Sequence, residues 1–229
     1  GVINLFSNVS GEFNLFDPKF LDEISKMKEK NLAVELLKKL ISEQVKIYKH
    51  TNVVKSQKFS EIIRHAMNAY LNGMLTNEQV IEELLSLSKQ IAEAHKEGEQ
   101  LGLTADELAF YDALTKPQAI KDFYENEELI AITKELADTL RKNRTIDWQK
   151  RDSARARMRM MIKKLLRSHR YPPDGMDDAV ETVMTQCELW TDNTDLEGNM
   201  ESDNKINYSL NQSTPLMAAE DASQYRDKR

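Results

Sequence analysis

Residues 141–170, RKNRTIDWQKRDSARARMRMMIKKLLRSHR, hold twelve Lys or Arg and only two acids, Asp147 and Asp152, within a chain of formal net charge −6. Arg151, Arg155, Arg159, Lys163 and Arg167 recur at every fourth position, with Arg157 and Lys164 among them. On a helix, like charges at that spacing repel by a few tenths of a kcal/mol per pair. Five in succession are a local cost unless the helix lies against something anionic. The chemistry on offer is therefore recognition of a polyanion, either a nucleic acid backbone or an acidic protein surface.

Bond-making chemistry finds little support elsewhere. No GxxxxGK(S/T) loop occurs, so nothing cradles a nucleoside triphosphate. His50, His65, His95 and His169 are too widely spaced for an HExxH-type metal site. Cys187 lies beside Leu189 and Trp190 on an apolar helix face and reads as core rather than nucleophile. Acid pairs such as Glu82-Glu83 and Glu127-Glu128 read as solvated helix surface. The expectation is no catalytic residue, no metal ligand and no cofactor in this chain.

The basic run must be positioned by a helix over about 148–169, capped by Asp147 and stopped by Tyr171-Pro172-Pro173. Such a rod is roughly 34 Å long at 1.5 Å per residue. At about 100° per residue, Trp148, Ala154, Met158, Met161, Ile162, Leu165, Leu166 and His169 share one broad arc, the core face. Arg151 and Arg155 fall at its edge, where core-side acids can pair with them. Arg159, Lys163 and Arg167 drift to the opposite side, and Lys150, Arg157 and Lys164 form a second solvent stripe. Met160 sits among the outer cations, a place that suits a partner surface. No aromatic is interleaved there, so contact with nucleic acid would be with backbone and not with bases. A merely solvated charged face, a protein contact and a nucleic acid contact all remain open on these residues alone.

The bulk composition bounds the rest. The chain has 229 residues, 40% hydrophobic and 31% charged, with 7 Gly and 5 Pro. Leu, Glu, Lys, Ala and Met dominate, which favours helix, and strand-like alternation is missing. The single cysteine excludes an internal disulfide and fits a cytoplasmic setting. No apolar run reaches the ~18 residues of a membrane span, and no signal peptide is visible. The chain starts at Gly1 and not Met, which reads as a piece of something longer. Residues 76–135 carry fourteen acids against five bases, so the molecule is polarised if that stretch and the basic helix face different ways.

Along the chain, residues 1–18 read as an irregular leading segment whose Phe6, Phe13 and Phe16 dock on the core. Asp17-Pro18 starts a helix. Helices are expected over 19–30, 31–50 and 56–72, the last closed by Gly73. Capping boxes at Thr76/Gln79 and Thr104/Glu107 open two more, with Gly98 and Gly102 as punctuation between them. Asn126 caps a helix to Arg141, and a last helix ends near Trp190. From Thr191 the composition turns polar and mildly acidic, as in a disordered tail. The expectation is an all-α, irregular bundle of about eight helices: an N-terminal helical region 1–98, a C-terminal helical domain 99–190 with the basic helix, and a disordered tail 191–229.

Ile146-Asp147-Trp148, then Ser153-Ala154-Arg155-Ala156-Arg157-Met158-Arg159, a Lys/Arg-Leu-Leu run and Tyr171-Pro172-Pro173 together resemble the C-terminal region of the motor (R) subunit of type I restriction–modification enzymes. LGLTADELAFYDAL (101–114) and ELIAITKELADTLRKN (128–143) resemble it too, so the likeness covers about 101–190, with a pattern closest to the IC subfamily. After Leu165-Leu166 this chain has Arg167-Ser168-His169-Arg170, where relatives carry more Lys and an aromatic.

The resemblance implies a parent that is an ATP- and Mg-dependent endonuclease and translocase, whose catalytic domains lie outside this chain. For the chain itself it implies a non-catalytic assembly and DNA-holding module that docks the motor onto the modification and specificity subunits. The family arginines map onto Arg151, Arg155, Arg157 and Arg159, and Lys163-Lys164 keep the basic run. With Arg167 these are the expected contacts to double-stranded DNA, and Met160 is the expected partner contact. The alternative is a protein–protein interaction module without direct DNA contact. An independent helical enzyme would need turnover from the chain alone, and none is expected.

Overall fold

A computed structural model of the chain describes residues 15–116, 118–144 and 148–192. The described residues are all-α, with no strand among them. The readings of Phe6 and Phe13 as docking aromatics, of Asp147 as a helix cap and of the tail beyond residue 192 fall outside the described residues.

The described residues up to Trp190 form one compact unit; of Thr191–Arg229, only Thr191 and Asp192 are described. Helices α1 (Pro18–Ser25), α2 (Lys30–Thr51), α3 (Val53–Leu71) and α4 (Asn77–Leu101) bury a first apolar core built on Leu37, Ile41, Phe59, Leu84, Leu87 and Ile91. A second core gathers Phe110, Leu114, Leu136, Trp148, Ile162 and Val183. Its frame is α5 (Ala105–Thr115), α6 (Gln118–Phe123), α7 (Asn126–Asn143), a 3-10 turn (Trp148–Lys150), α8 (Asp152–Ser168) and α9 (176–192). In α5 every residue from Leu108 to Thr115 is buried, as befits a helix with neighbours on all sides.

Local chemistry accounts for most boundaries. The Asp17 side chain accepts from Lys19 N at 2.9 Å ahead of Pro18. The Thr76/Gln79 and Thr104/Glu107 boxes are both closed reciprocally, satisfying donors that the helix itself leaves open. Gly73 and Gly102 take left-handed φ of 71° and 63° just past their helices, a conformation glycine adopts without Cβ strain.

Several boundaries differ from expectation. The first helix stops at Ser25 and not near residue 30. The gap expected between residues 50 and 56 shrinks to Asn52, which ends α2 and caps α3 by accepting from Lys55 N at 3.0 Å. Gly98 does not punctuate: α4 runs through it to Leu101, and a Cβ there would lie 3.2 Å from the Leu103 carbonyl oxygen. The helix expected to be capped by Asn126 already includes it, because the backbone turns at Glu125. The basic helix is shorter than expected: Trp148 is held in the core by a 3-10 turn, Arg151 is extended (φ −113°, ψ 113°), and α8 starts at Asp152.

A polar seam joins the two cores. Lys55 Nζ reaches Glu97 at 3.0 Å and Asp112 at 3.1 Å, and Asn52 Nδ2 donates to Asp112 at 2.7 Å. Burial alone would pull the Lys55 ammonium down, but the Asp112 and Glu97 carboxylates overcome it and hold its pKa above the ordinary value. The amide of Gln186 on α9 closes the seam from the other side.

Candidate interaction surface on the basic helix

Helix α8 is pinned by Met158, Ile162, Leu165 and Leu166, all buried in the second core. Ala154, Met161 and His169 share the expected core arc but stay partly exposed. The His169 ring Nε2 lies 2.8 Å from Glu135 Oε2, and its carbonyl accepts from Tyr124 Oη at 2.8 Å. At its C-terminus Tyr171 N donates to the Leu166 carbonyl across Arg170, which adopts a left-handed φ of 58°. That closed turn, and not Pro172-Pro173, stops the helix. It also sends the chain back along α8 as α9.

The return of α9 decides the electrostatics. Arg155 pairs with Glu188. Arg159 grips Glu181 through Nε–Oε1 at 2.7 Å and Nη2–Oε2 at 3.0 Å. Lys163 Nζ meets Asp177 Oδ1 at 2.7 Å. Pairs 155–188, 159–181 and 163–177 run in antiparallel register, so α9 acids ranging from partly to largely exposed partly neutralise the fourth-residue stripe. The Lys163 ammonium lowers the Asp177 pKa, the Arg159 guanidinium lowers that of Glu181, and hydrogen bonding to Glu181 raises that of Arg159.

The sequence-predicted residues thus divide. Arg155, Arg159 and Lys163 are engaged within the fold; for Arg159 and Lys163 this corrects the expectation that they turn away from it. Arg151, expected beside core-side acids, is exposed at the head of α8. Arg151, Arg157, Lys164 and Arg167 form no ion pair among the described residues. Met160 is 66% exposed.

Three of those cations and Met160 border a groove of about 550 Å³ between the end of α7, the 3-10 turn and α8. Its floor is Trp148, Ala154, Met158 and Met161; its rim is Arg157, Lys163, Lys164 and Arg167. No Asp or Glu lines it among the described residues. The arrangement can bind an apolar ridge and a negative charge at the same place.

Sequence reasoning missed the acids that oppose the stripe. A signal existed: Asp177 and Glu181 repeat the four-residue spacing of Arg159 and Lys163 in a helix that follows a short turn. The Lys55–Asp112 pair left no such signal, since its partners come from separate helices. Cys187 is buried, and burial pushes its thiol pKa up to about 12, so it stays protonated near neutrality. Among the described residues no three His, Cys, Asp or Glu are grouped to hold a metal, and no helix is long and apolar enough to cross a membrane.

What this geometry describes is an all-α module whose distinguishing surface is one face of a cationic helix. The chain matches the family described as "Type I restriction enzyme HindI endonuclease subunit-like, C-terminal" over residues 1–193, and it belongs to that family. It is 36% identical over 191 residues to the type I restriction enzyme HindI endonuclease subunit of Haemophilus influenzae, covering 82% of this chain and 18% of that protein. It is 30% identical over 166 residues to the putative type I restriction enzyme MjaIXP endonuclease subunit of Methanocaldococcus jannaschii, covering 72% of this chain and 16% of that protein. The chain therefore spans less than a fifth of the relatives it matches. No solved structure matches it significantly.

Proposed function

We propose that this chain is a non-catalytic assembly module of a type I restriction enzyme endonuclease subunit, docking that subunit onto the modification and specificity subunits through the outer face of α8. One observation carries the reading: Arg157, Lys164 and Arg167, without ion pairs among the described residues, surround the exposed Met160 over a methionine-floored groove. Cations interleaved with exposed apolar side chains suit a protein surface better than a phosphate backbone, which offers nothing apolar. ATP and Mg, which the resemblance implies for the parent subunit, are assigned to its other regions, since this chain carries no GxxxxGK(S/T) loop. Their chemistry, DNA cleavage and translocation, is assigned to the rest of the subunit.

The second reading, DNA holding, is favoured by Arg151, Arg157, Lys164 and Arg167, which form no ion pair among the described residues and are spread over about 24 Å at 1.5 Å per residue. One experiment separates the two. In the full-length subunit, Arg157, Lys164 and Arg167 are changed to Ala, and both assembly with the modification–specificity core and salt-titrated duplex binding are measured. The docking reading expects weaker assembly with an unchanged salt slope. A slope reduced by up to about three units with assembly intact would overturn it in favour of DNA holding.

A further inference from the structure

We propose that the α8 groove receives one amphipathic helix of a partner subunit, with a narrow apolar stripe flanked by Asp or Glu; this deepens, and rests on, the docking reading above. The argument begins with spacing. Arg157, Met160, Met161, Lys164 and Arg167 stand at i, i+3, i+4, i+7 and i+10 along α8. That is the spacing of a helix–helix seam. Here, however, the strip lies on the side of α8 turned away from the buried Ile162 and Leu166, and it borders the groove. A second helix laid along it would insert its apolar side chains over Met158 and Met161.

Charge sets the sign of the occupant. The rim is cationic, and no carboxylate lines it among the described residues. The nearby acids Asp177 and Glu181 are already held by Lys163 and Arg159. Carboxylates flanking the incoming apolar stripe would meet Arg157, Lys164 and Arg167 as flanking charges meet in a coiled coil. A helix flanked by Lys would be repelled at the same positions. Methionine is the side chain best suited to such a floor, since its unbranched thioether repacks around the ridge it meets. A cavity of about 550 Å³ holds a few side chains, not a folded domain, which is the scale of helix-in-groove recognition.

The test uses the full-length subunit in complex with the modification and specificity subunits. A photo-crosslinking amino acid replaces Met160, and the adduct is mapped by mass spectrometry. The expected adduct lies on an apolar stripe of a partner helix flanked by acids. Arg157→Glu combined with Lys164→Glu should weaken assembly about tenfold. Changing the mapped acids to Lys should restore it in that double variant alone. Circular dichroism of the variants should be unchanged, because both side chains are exposed and form no ion pair among the described residues. Normal assembly without a Met160 adduct, or an adduct to a partner segment without acids, overturns the inference and leaves docking standing; an adduct to DNA or to residues 193–229 of this chain overturns both. Failure of the unsubstituted subunit to assemble overturns both.

Discussion

Arg159 and Glu181 face each other through two parallel hydrogen bonds of 2.7 and 3.0 Å, across the turn that sends α9 back along α8. The pair joins a helix otherwise burdened by self-repulsion to the acidic helix beside it. Both bonded carboxylates in this row with a resolved shift, Asp177 and Glu181, have pKa values below their ordinary ones. A group whose folded pKa is lowered stabilises the fold above its unfolded pKa, and that contribution is lost as pH falls through the folded value.

The stability difference between the natural chain and an Asp177→Asn, Glu181→Gln variant should therefore be present at neutral pH and shrink through the acid limb. Urea denaturation at a series of pH values reads it. A difference that stays constant down to pH values below the ordinary carboxyl range would show that these acids do not couple α8 to α9. High salt should shrink the same difference at neutral pH, because the pairs are exposed.

Gln186 is expected to matter more than its polar side chain suggests. Its Nε2 donates to the Thr51 carbonyl and its Oε1 accepts from Val53 N, both at 2.9 Å, on either side of Asn52. Gln186 is 3% exposed, so its loss leaves two backbone groups without their partner. Gln186→Met, which keeps the volume, should cost about 2–3 kcal/mol. It should also speed hydrogen exchange at Val53. A cost below about 0.5 kcal/mol by chemical denaturation would mean that water replaces the amide freely.

Arg170 carries the one left-handed non-glycine backbone among the described residues, at φ 58°. Glycine removes the Cβ clash of that conformation. Arg170→Gly should stabilise the protein by about 1 kcal/mol, raising Tm by about 2–4 °C. A fall in Tm would assign the arginine side chain a stabilising contact that outweighs the strain.

Much of the fold could be read along the chain because its determinants are local. The Thr76/Gln79 and Thr104/Glu107 boxes, the Asp17-Pro18 start and the glycine at 102 act over three or four residues, and each behaves as its neighbours dictate. The apolar period that buries Met158, Ile162, Leu165 and Leu166 is equally local. Where expectation failed, packing and backbone geometry had intervened: Trp148 is buried in the core on a 3-10 turn ahead of the basic helix, and Leu103, five residues on, closes over Gly98 inside α4.

The sequence by itself determined that this chain is helical, that one helix is strongly cationic and that it resembles one family of restriction enzyme subunits. Only the tertiary structure decided which cations are spoken for. Arg155, Arg159 and Lys163 repeat along the helix with Arg151 and Arg167, yet among the described residues only these three of the five form ion pairs with carboxylates of α9, 14 to 33 residues away. Helical period places a charge on a face. What that face meets depends on the antiparallel register of two helices, set by the turn at Arg170 and by the shared core in which Leu166, Val183 and Cys187 are buried.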